Sequence, residues 1–260
     1  MKKETPFALK VRSVTVHYHT VPVLWDINLE IPQGCMIGIL GPNGAGKSTL
    51  IKAILGLISL ASGTVLLKGK HVETMRKKIS YVPQKEAVDW DFPITVRELV
   101  LMGRYPEVGM FRRIKRDDRA KASHYIEMVG MSEFEDRQIS QLSGGQQQRA
   151  FLARALLQEA DIYFLDEPLA GVDQVSEKII LNLLHKLRDE GKTIFMVHHD
   201  LTSVQRYFDW IVLLNIRLIA SGHTKEVFIR ENIEKAYGKG LNIFDETMRL
   251  SQNKVAGINA

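Results

Sequence analysis

Cysteine is nearly absent from this 260-residue sequence: Cys35 is the only one. No disulfide can form within the chain, and a reducing compartment is the simpler expectation. Long apolar runs are missing too. A membrane-spanning helix needs about 18–20 consecutive apolar residues, and the best runs, near Met36–Leu40 and Trp210–Leu214, end after a handful. The first six residues carry charge with no apolar stretch behind them, so the sequence predicts no secretory leader. No internal repeat or low-complexity segment is found, which excludes disordered, collagen-like and repeat architectures.

What is present is an ordinary globular composition, 45% hydrophobic and 25% charged. A chain this long can bury a substantial core without a metal or disulfide staple. These features predict a soluble, cytosolic protein. The net charge is +5, and much of it is concentrated between Arg104 and Lys121, where seven basic residues (Arg112 among them) stand against three acidic ones. The plain reading is a solvated helix face; the sharper one is a surface near anionic lipid or another polyanion. No basic groove interleaved with aromatics is visible, so nucleic acid is not expected as a partner.

Hydrophobic periodicity predicts the elements. Leu9, Val11, Val14, Val16 and Tyr18 read as a half-buried strand, as does Ile27–Ile31. After the turn Pro32-Gln33-Gly34, Cys35–Leu40 reads as a buried parallel strand. Further strands are expected at Thr64–Lys68, Lys78–Val82, Ile162–Leu165, Thr193–Val197 and Trp210–Leu214. Helices are expected from Lys47 to about Leu57, from Thr95 (a capping box with Glu98) to Met102, over Arg116–Val129, over Gly145–Leu157 and over Gln174–Glu190. The last should bury Val175, Ile179, Ile180, Leu183, Leu184 and Leu187 and stop at Gly191. Repeated strand–helix alternation implies a parallel sheet covered on both faces. The stretch from Thr95 to Leu142 lacks a strand and reads as a helical insertion. Leu241–Ala260 reads as a loosely docked tail.

Gly41-Pro42-Asn43-Gly44-Ala45-Gly46-Lys47-Ser48-Thr49 fits G-x-x-x-x-G-K-[ST], after an apolar strand and opening a helix. Glycines let the backbone wrap so that its N–H groups converge on phosphate oxygens, and the helix N-terminus adds partial positive charge. Lys47 can reach the β- and γ-phosphates, Ser48 can ligate Mg²⁺ and Thr49 can contact the α-phosphate. A second constellation is Asp161-Ile162-Tyr163-Phe164-Leu165-Asp166-Glu167. A buried strand would deliver both terminal acids to the ligand-binding edge of the sheet. Asp166 would then hold Mg²⁺, and Glu167 would polarise an attacking water. An acidic helix cap is the bland alternative.

Leu142-Ser143-Gly144-Gly145-Gln146 resembles the signature loop of the ATP-binding cassette family. Its physics repeats the first loop: two glycines expose backbone N–H groups at a helix start, and Ser143 adds a hydroxyl. The resemblance spans about residues 8–240. It implies an α/β P-loop NTPase with a RecA-like core, a mainly parallel sheet, an N-terminal antiparallel β part and a helical signature-motif subdomain. The corresponding division is 1–94 and 146–240 for the nucleotide-binding core, 95–145 for the helical subdomain and 241–260 for the tail. The resemblance further makes Tyr18, 29 residues before Lys47, the aromatic that stacks on adenine. It makes Gln84 the sensor of Mg²⁺ and water, Asp173 the acid of the D-loop (or an N-cap of the long helix, or both), and His199 the contact to the γ-phosphate. His198 lies beside it, but adjacent residues point differently and the family register selects His199; a His198–His199 metal site is the alternative, with no Cys or acid cluster to accompany it. His17 and His19 share a strand face and read as surface residues, a metal role there lacking a third ligand. ATP and Mg²⁺ are the implied ligands. The implied assembly is a head-to-tail homodimer in which each nucleotide lies between one subunit's phosphate loop and the other's signature loop.

One cassette without a membrane span resembles the ATPase subunits of bacterial importers, peripheral on the inner face of the cell membrane and bound to a separate integral membrane permease. The segment Val88–Val96 and the Ala-Gly-Val-Asp form of the D-loop resemble the manganese/zinc/iron uptake branch, in which an extracytoplasmic metal-binding protein delivers the ion to the permease. Trp90 and Phe92 are expected either as apolar anchors for the permease or as internal packing. A soluble cassette ATPase serving cofactor assembly or repair is the alternative. A P-loop kinase or GTPase fits poorly, because a guanine-reading Asn-Lys-x-Asp string is missing.

Overall fold

The computed structural model describes residues 7–18, 21–109 and 113–238. The expectations placed on residues 241–260, on His19 and on Arg112 therefore lie outside the described residues. In chain order the elements begin with β1 (Phe7–Tyr18), β2 (Val21–Pro32), β3 (Met36–Leu40), α1 (Lys47–Ile54), β4 (Ser62–Leu67), α2 (Val72–Met75) and β5 (Ile79–Val82). Next come α3 (Val96–Leu101), α4 (Tyr105–Val108), α5 (Arg116–Met128), α6 (Gly144–Leu157), β6 (Ile162–Leu165) and α7 (Gln174–Asp189). The last are β7 (Thr193–Val197), α8 (Val204–Tyr207), β8 (Trp210–Asn215), β9 (Arg217–His223), α9 (Thr224–Val227) and α10 (Arg230–Tyr237). The described residues form two compact units, one drawn from the stretches 7–69 and 197–238, the other from the stretch 70–196.

In the first unit, β1 pairs antiparallel with both β2 and β4. Leu9, Val11, Val14 and Val16 are all buried although the spacing skips a residue between Val11 and Val14. A bulge absorbs the skip, with Ser13 at φ 46°. β2 repeats the device between the buried Leu24 and Ile27, with Asp26 at φ 50°. Asn28 ties the two bulges together, accepting from Ser13 N–H at 3.0 Å and donating to Asp26 Oδ1 at 3.1 Å. Without the paired bulges every later side chain on these strands would face the wrong side of the sheet.

β3 pairs in parallel with β8, and β8 in turn is antiparallel to β9. All five residues of β3 are buried. The expected α1 is shorter than its sequence pattern. It ends at Ile54, where Gly56 (φ 66°) donates to Ala53 O and Leu57 N–H donates to Lys52 O, which closes a Schellman turn. The periodicity did not reveal β9, α9 or α10. The β8–β9 turn carries Ile216 at φ 60°, a β-branched residue where tight hairpins normally place Gly or Asn.

In the second unit, β5, β6 and β7 run parallel in that order, joined by helical crossovers. Every residue of β6 and β7 is buried. Phe164 and Phe195 stack with centroids 4.6 Å apart; burying each ring contributes about 1.5–3 kcal/mol. The Thr95 capping box is formed, Thr95 Oγ1 accepting from Glu98 N–H and the Glu98 carboxylate accepting from Thr95 N–H. Between Thr95 and Leu142 the described residues hold no strand, only the single bridge of Thr95 to Gln138. Within the basic segment, Arg104 pairs with Asp118 at 2.9 Å and Lys121 with Glu159 at 2.7 Å, while Arg113, Lys115, Arg116 and Arg119 are exposed.

The stripe expected on α7 needs correction. Val175 is 70% exposed and Ser176 is buried in its place, with Ile180, Leu181 and Leu184 completing the buried line. Capping explains the offset: Asp173 Oδ1 accepts from Ser176 N–H and Oδ2 from the Ser176 hydroxyl, which turns Ser176 inward and Val175 out. Among the described residues no helix is long and apolar enough to cross a membrane.

Candidate functional site

The phosphate loop lies in the first unit, between β3 and α1. Its course is set by three glycines with positive φ: Gly41 (155°), Gly44 (79°) and Gly46 (93°). Gly46 is the left-handed N-cap of α1. A Cβ there would sit 2.7 Å from Leu24 Cδ2 and 2.8 Å from Val23 O, and one on Gly41 would sit 2.1 Å from Leu214 O. The loop is thus packed from behind at its first and last glycines, whereas a Cβ on Gly44 would meet nothing within 4 Å. Ile216 N–H donates to Ala45 O at 3.0 Å and Ile216 O accepts from Trp25 N–H at 2.8 Å, so the strained β8–β9 turn holds the loop to β2.

Lys47 is only 6% exposed, and its ammonium donates to Gly41 O and Pro42 O, both at 2.9 Å. The first turn of α1 carries no acidic residue and its N-cap offers no side-chain acceptor. A buried cation, a helix start without a competing carboxylate and an unobstructed Gly44 together fit a polyphosphate. Ser48 is half-buried and Thr49 buried. Tyr18, at the end of β1 opposite Val21, is 48% exposed, as a stacking platform requires. His199 is exposed just beyond β7 while His198 is buried.

The second unit carries the carboxylates. Asp166, immediately after β6, is 1% exposed, and its backbone N–H donates to Val82 O at 2.9 Å. Burial, and then the charge of Asp166, push the Tyr81 hydroxyl up to about 12. Glu167 sits at φ 54°, a left-handed conformation that costs a residue with a Cβ about 1–3 kcal/mol. That conformation turns its side chain toward Gln84, whose Nε2 donates to Glu167 Oε2 across 3.4 Å. With its nitrogen committed there, the Gln84 amide keeps its oxygen as the donor a hard cation would use. Asp166 and Gln84 offer oxygen ligands in this unit and Ser48 offers one in the other, the donor type Mg²⁺ prefers.

The signature segment forms the start of α6. Ser143 is the N-cap: its Oγ accepts from Gln146 N–H at 3.3 Å, and Gln146 Oε1 accepts from Ser143 N–H at 2.9 Å. This is a reciprocal capping box, and it leaves the Ser143 hydroxyl proton for an outside acceptor. Leu142 is buried and Ser143 exposed. A Cβ on Gly144 would lie 2.9 Å from Lys85 Nζ, and one on Gly145 would lie 2.7 Å from Asp173 Oδ2. The segment after Gln84, the signature loop and the D-loop acid therefore meet at one helix start. Hydrogen bonds from Ser176 hold the Asp173 carboxyl below the usual range. Trp90 packs inward on Phe151 of α6 (5.0 Å) and donates Nε1–H to Lys85 O, while Phe92 is 52% exposed. Of that expected pair, Trp90 serves internal packing and Phe92 alone offers a free face.

Among the described residues no group of three or more His, Cys, Asp or Glu could hold a metal; His17 instead stacks on Trp25 at 6.3 Å. The sequence reading did not find Lys85, the Ile216 turn or the partners of His198. Lys85 declares itself only through its Nζ beside Gly144, and the Ile216 turn only through backbone hydrogen bonds to Ala45 and Trp25, all far apart in sequence.

The profile of the family described as ABC transporter matches residues 24–170. The manganese transport system ATP-binding protein MntB of Bacillus subtilis is 52% identical over 95% of this chain and 99% of its own length. The zinc transport system ATP-binding protein TroB of Treponema pallidum is 53% identical over 90% of this chain and 88% of its own. Among solved structures, the inward-facing form of a proposed metal-chelate type ABC transporter superposes with a TM-score of 0.78 at 27% identity, over 89% of this chain and 88% of that one.

Proposed function

This chain belongs to the ABC transporter family as an ATP-binding subunit with the P-loop fold, and on that footing we propose that it hydrolyses ATP to energise import of a divalent metal ion, manganese, zinc or iron. The observation that carries the reading is the presence of two glycine-built helix starts on one chain, α1 and α6, each suited to phosphate oxygens. One alone would describe any P-loop enzyme.

In this reading Lys47, the loop backbone and Thr49 bind the triphosphate, and Tyr18 orients the base. Ser48, Asp166 and Gln84 would hold Mg²⁺, which would supply charge neutralisation for the transferred phosphoryl group. Glu167 accepts a proton from the attacking water, a role worth about 10²–10⁴-fold in rate. Gln84 keeps Glu167 and the water in register, and His199 donates to the γ-phosphate. Leu142–Gln146 acts in trans on the nucleotide of a second copy, with Asp173 at the same helix start. The subunit thus works as a head-to-tail homodimer, closed by ATP and released by hydrolysis. It is held on the inner face of the membrane by a separate permease, which an extracytoplasmic binding protein loads with metal.

The test is ATPase activity of the transporter reconstituted with its permease in vesicles. Binding protein loaded with manganese, zinc or iron should stimulate turnover with one of these metals and not without metal. Equal turnover under all conditions would sink the importer reading.

A further inference from the structure

The two histidines after β7 occupy opposite surroundings. His198 is 6% exposed, His199 is exposed, and their rings lie 6.0 Å apart and 26° from parallel. The edges of Tyr207 and Phe208 close on His198 at 5.9 and 5.5 Å. Phe208 in turn fills the space that Gly38 of β3 leaves by lacking a Cβ, which would sit 2.8 Å from its ring. His198 N–H donates to Ile39 O at 3.1 Å, so this position is registered on the strand that leads into the phosphate loop.

The polar side of His198 is equally defined. Its Nε2 lies 2.7 Å from Ser203 Oγ, and Ser203 Oγ lies 2.7 Å from Asp200 Oδ2 and 3.1 Å from Asp200 O. A carboxylate and a carbonyl only accept, so the Ser203 hydroxyl proton goes to Asp200 and its oxygen accepts from His198 Nε2–H. That order places a proton on Nε2 of His198. The other carboxylate oxygen, Asp200 Oδ1, accepts from Thr202 N–H at 2.9 Å and from Thr202 Oγ1 at 2.6 Å. The residues immediately before and after His199 are therefore joined to each other through one serine hydroxyl, while the residue between them stays exposed.

We propose that the His198–Ser203–Asp200 hydrogen-bond chain is a positioning device for His199, fixing the backbone on both sides so that its imidazole is presented in one orientation. The proposal rests on the reading of His199 as the γ-phosphate contact. His198, Ser203 and Asp200 act through His199 and are positioning residues.

The experiment uses the full-length protein and measures steady-state and single-turnover ATP hydrolysis. Ser203→Ala removes the central hydroxyl and is expected to lower kcat about tenfold, the size of one hydrogen bond to a charged acceptor, with KM for ATP nearly unchanged. Ser203→Thr keeps the hydroxyl and should restore the rate. His198→Phe keeps the ring and its aromatic neighbours but lacks Nε2–H. It should match Ser203→Ala, with no added loss in the double variant, and it carries the test if Ser203→Ala fails to fold. In nitrogen-15 spectra of labelled histidine, the Nε2–H signal of His198 should persist in Ser203→Thr and shift in Ser203→Ala.

In a His199→Ala background, Ser203→Ala should leave the residual rate unchanged. A repeated tenfold loss there would show that the chain acts independently of His199 and would overturn the proposal, as would wild-type turnover by Ser203→Ala or His198→Phe. Wild-type turnover by His199→Ala, which leaves the hydrogen-bond chain intact, would instead remove the His199 reading and this proposal with it.

Discussion

The Oδ2 of Asp173 and the missing side chain of Gly145 occupy neighbouring space: a Cβ on Gly145 would lie 2.7 Å from that oxygen and 2.8 Å from Ser176 Oγ. The cap of α7 and the first turn of α6 thus pack through a glycine, and neither can be altered without the other. A Cβ on Gly144, one residue earlier, would meet the flexible end of Lys85 at 2.9 Å and Gly171 O only at an ordinary contact distance of 3.6 Å. Gly145→Ala should destabilise the protein by about 1–3 kcal/mol through overpacking. Gly144→Ala should leave the melting temperature close to wild type. Equal melting of the two variants would show that the Asp173 contact does not constrain the signature helix.

Glu167→Gln keeps the shape of the side chain and the contact to Gln84 Nε2 while removing the base. Hydrolysis should fall by about 10²–10⁴-fold, and ATP should then hold two copies together on size-exclusion chromatography. Lys47→Ala deletes a buried ammonium that bridges two loop carbonyls, so nucleotide affinity and turnover should fall together. A Lys47→Ala variant that binds ATP normally by fluorescence titration would contradict the phosphate-loop assignment.

Asp118 supplies a pH-dependent contribution to stability. The hydrogen bond from Lys115 N–H, with Arg104 beside it, holds its carboxyl below the usual aspartate range. A depressed folded-state pKa stabilises above the unfolded value, and that stabilisation is lost as pH falls through the folded value. The urea midpoint of Asp118→Asn should lie below wild type by a constant amount from pH 7 to pH 5. The gap should narrow as pH drops below about 4, where the unfolded aspartate protonates. A gap independent of pH would point to packing rather than charge.

Ile216 holds φ 60° with a β-branched side chain that is 40% exposed. Its backbone N–H and C=O, not its side chain, grip Ala45 and Trp25. Ile216→Asn tolerates that conformation better, so it should raise the melting temperature by about 2–4 °C if roughly 1 kcal/mol of strain is relieved. ATP affinity should be unchanged. A drop in melting temperature would place the stabilisation in the side chain instead.

Phe92→Ala should leave melting and the ATPase rate of the isolated subunit unchanged, since the ring is half-exposed. In our reading it should weaken co-purification of the permease. Trp90→Ala, which removes the contact to Phe151 and the hydrogen bond to Lys85 O, should lower the melting temperature first.

The sequence by itself determined the strands β3, β6 and β7, because a run of apolar residues between turn signals has few other stable environments. It also determined the phosphate loop, the carboxylate pair and the Thr95 capping box, where the chemistry depends on residues close together in the chain. Tertiary structure alone decided what depends on distant partners. The β8–β9 turn is held at Ile216 by Ala45 and Trp25 in place of a turn-forming residue. The apolar line of α7 is rotated off Val175 by the Asp173 cap. The necessity of Gly145 follows from an oxygen 28 residues away in sequence. Local patterns carry propensity and composition, whereas which backbone groups meet across the fold is set by packing that no short window contains.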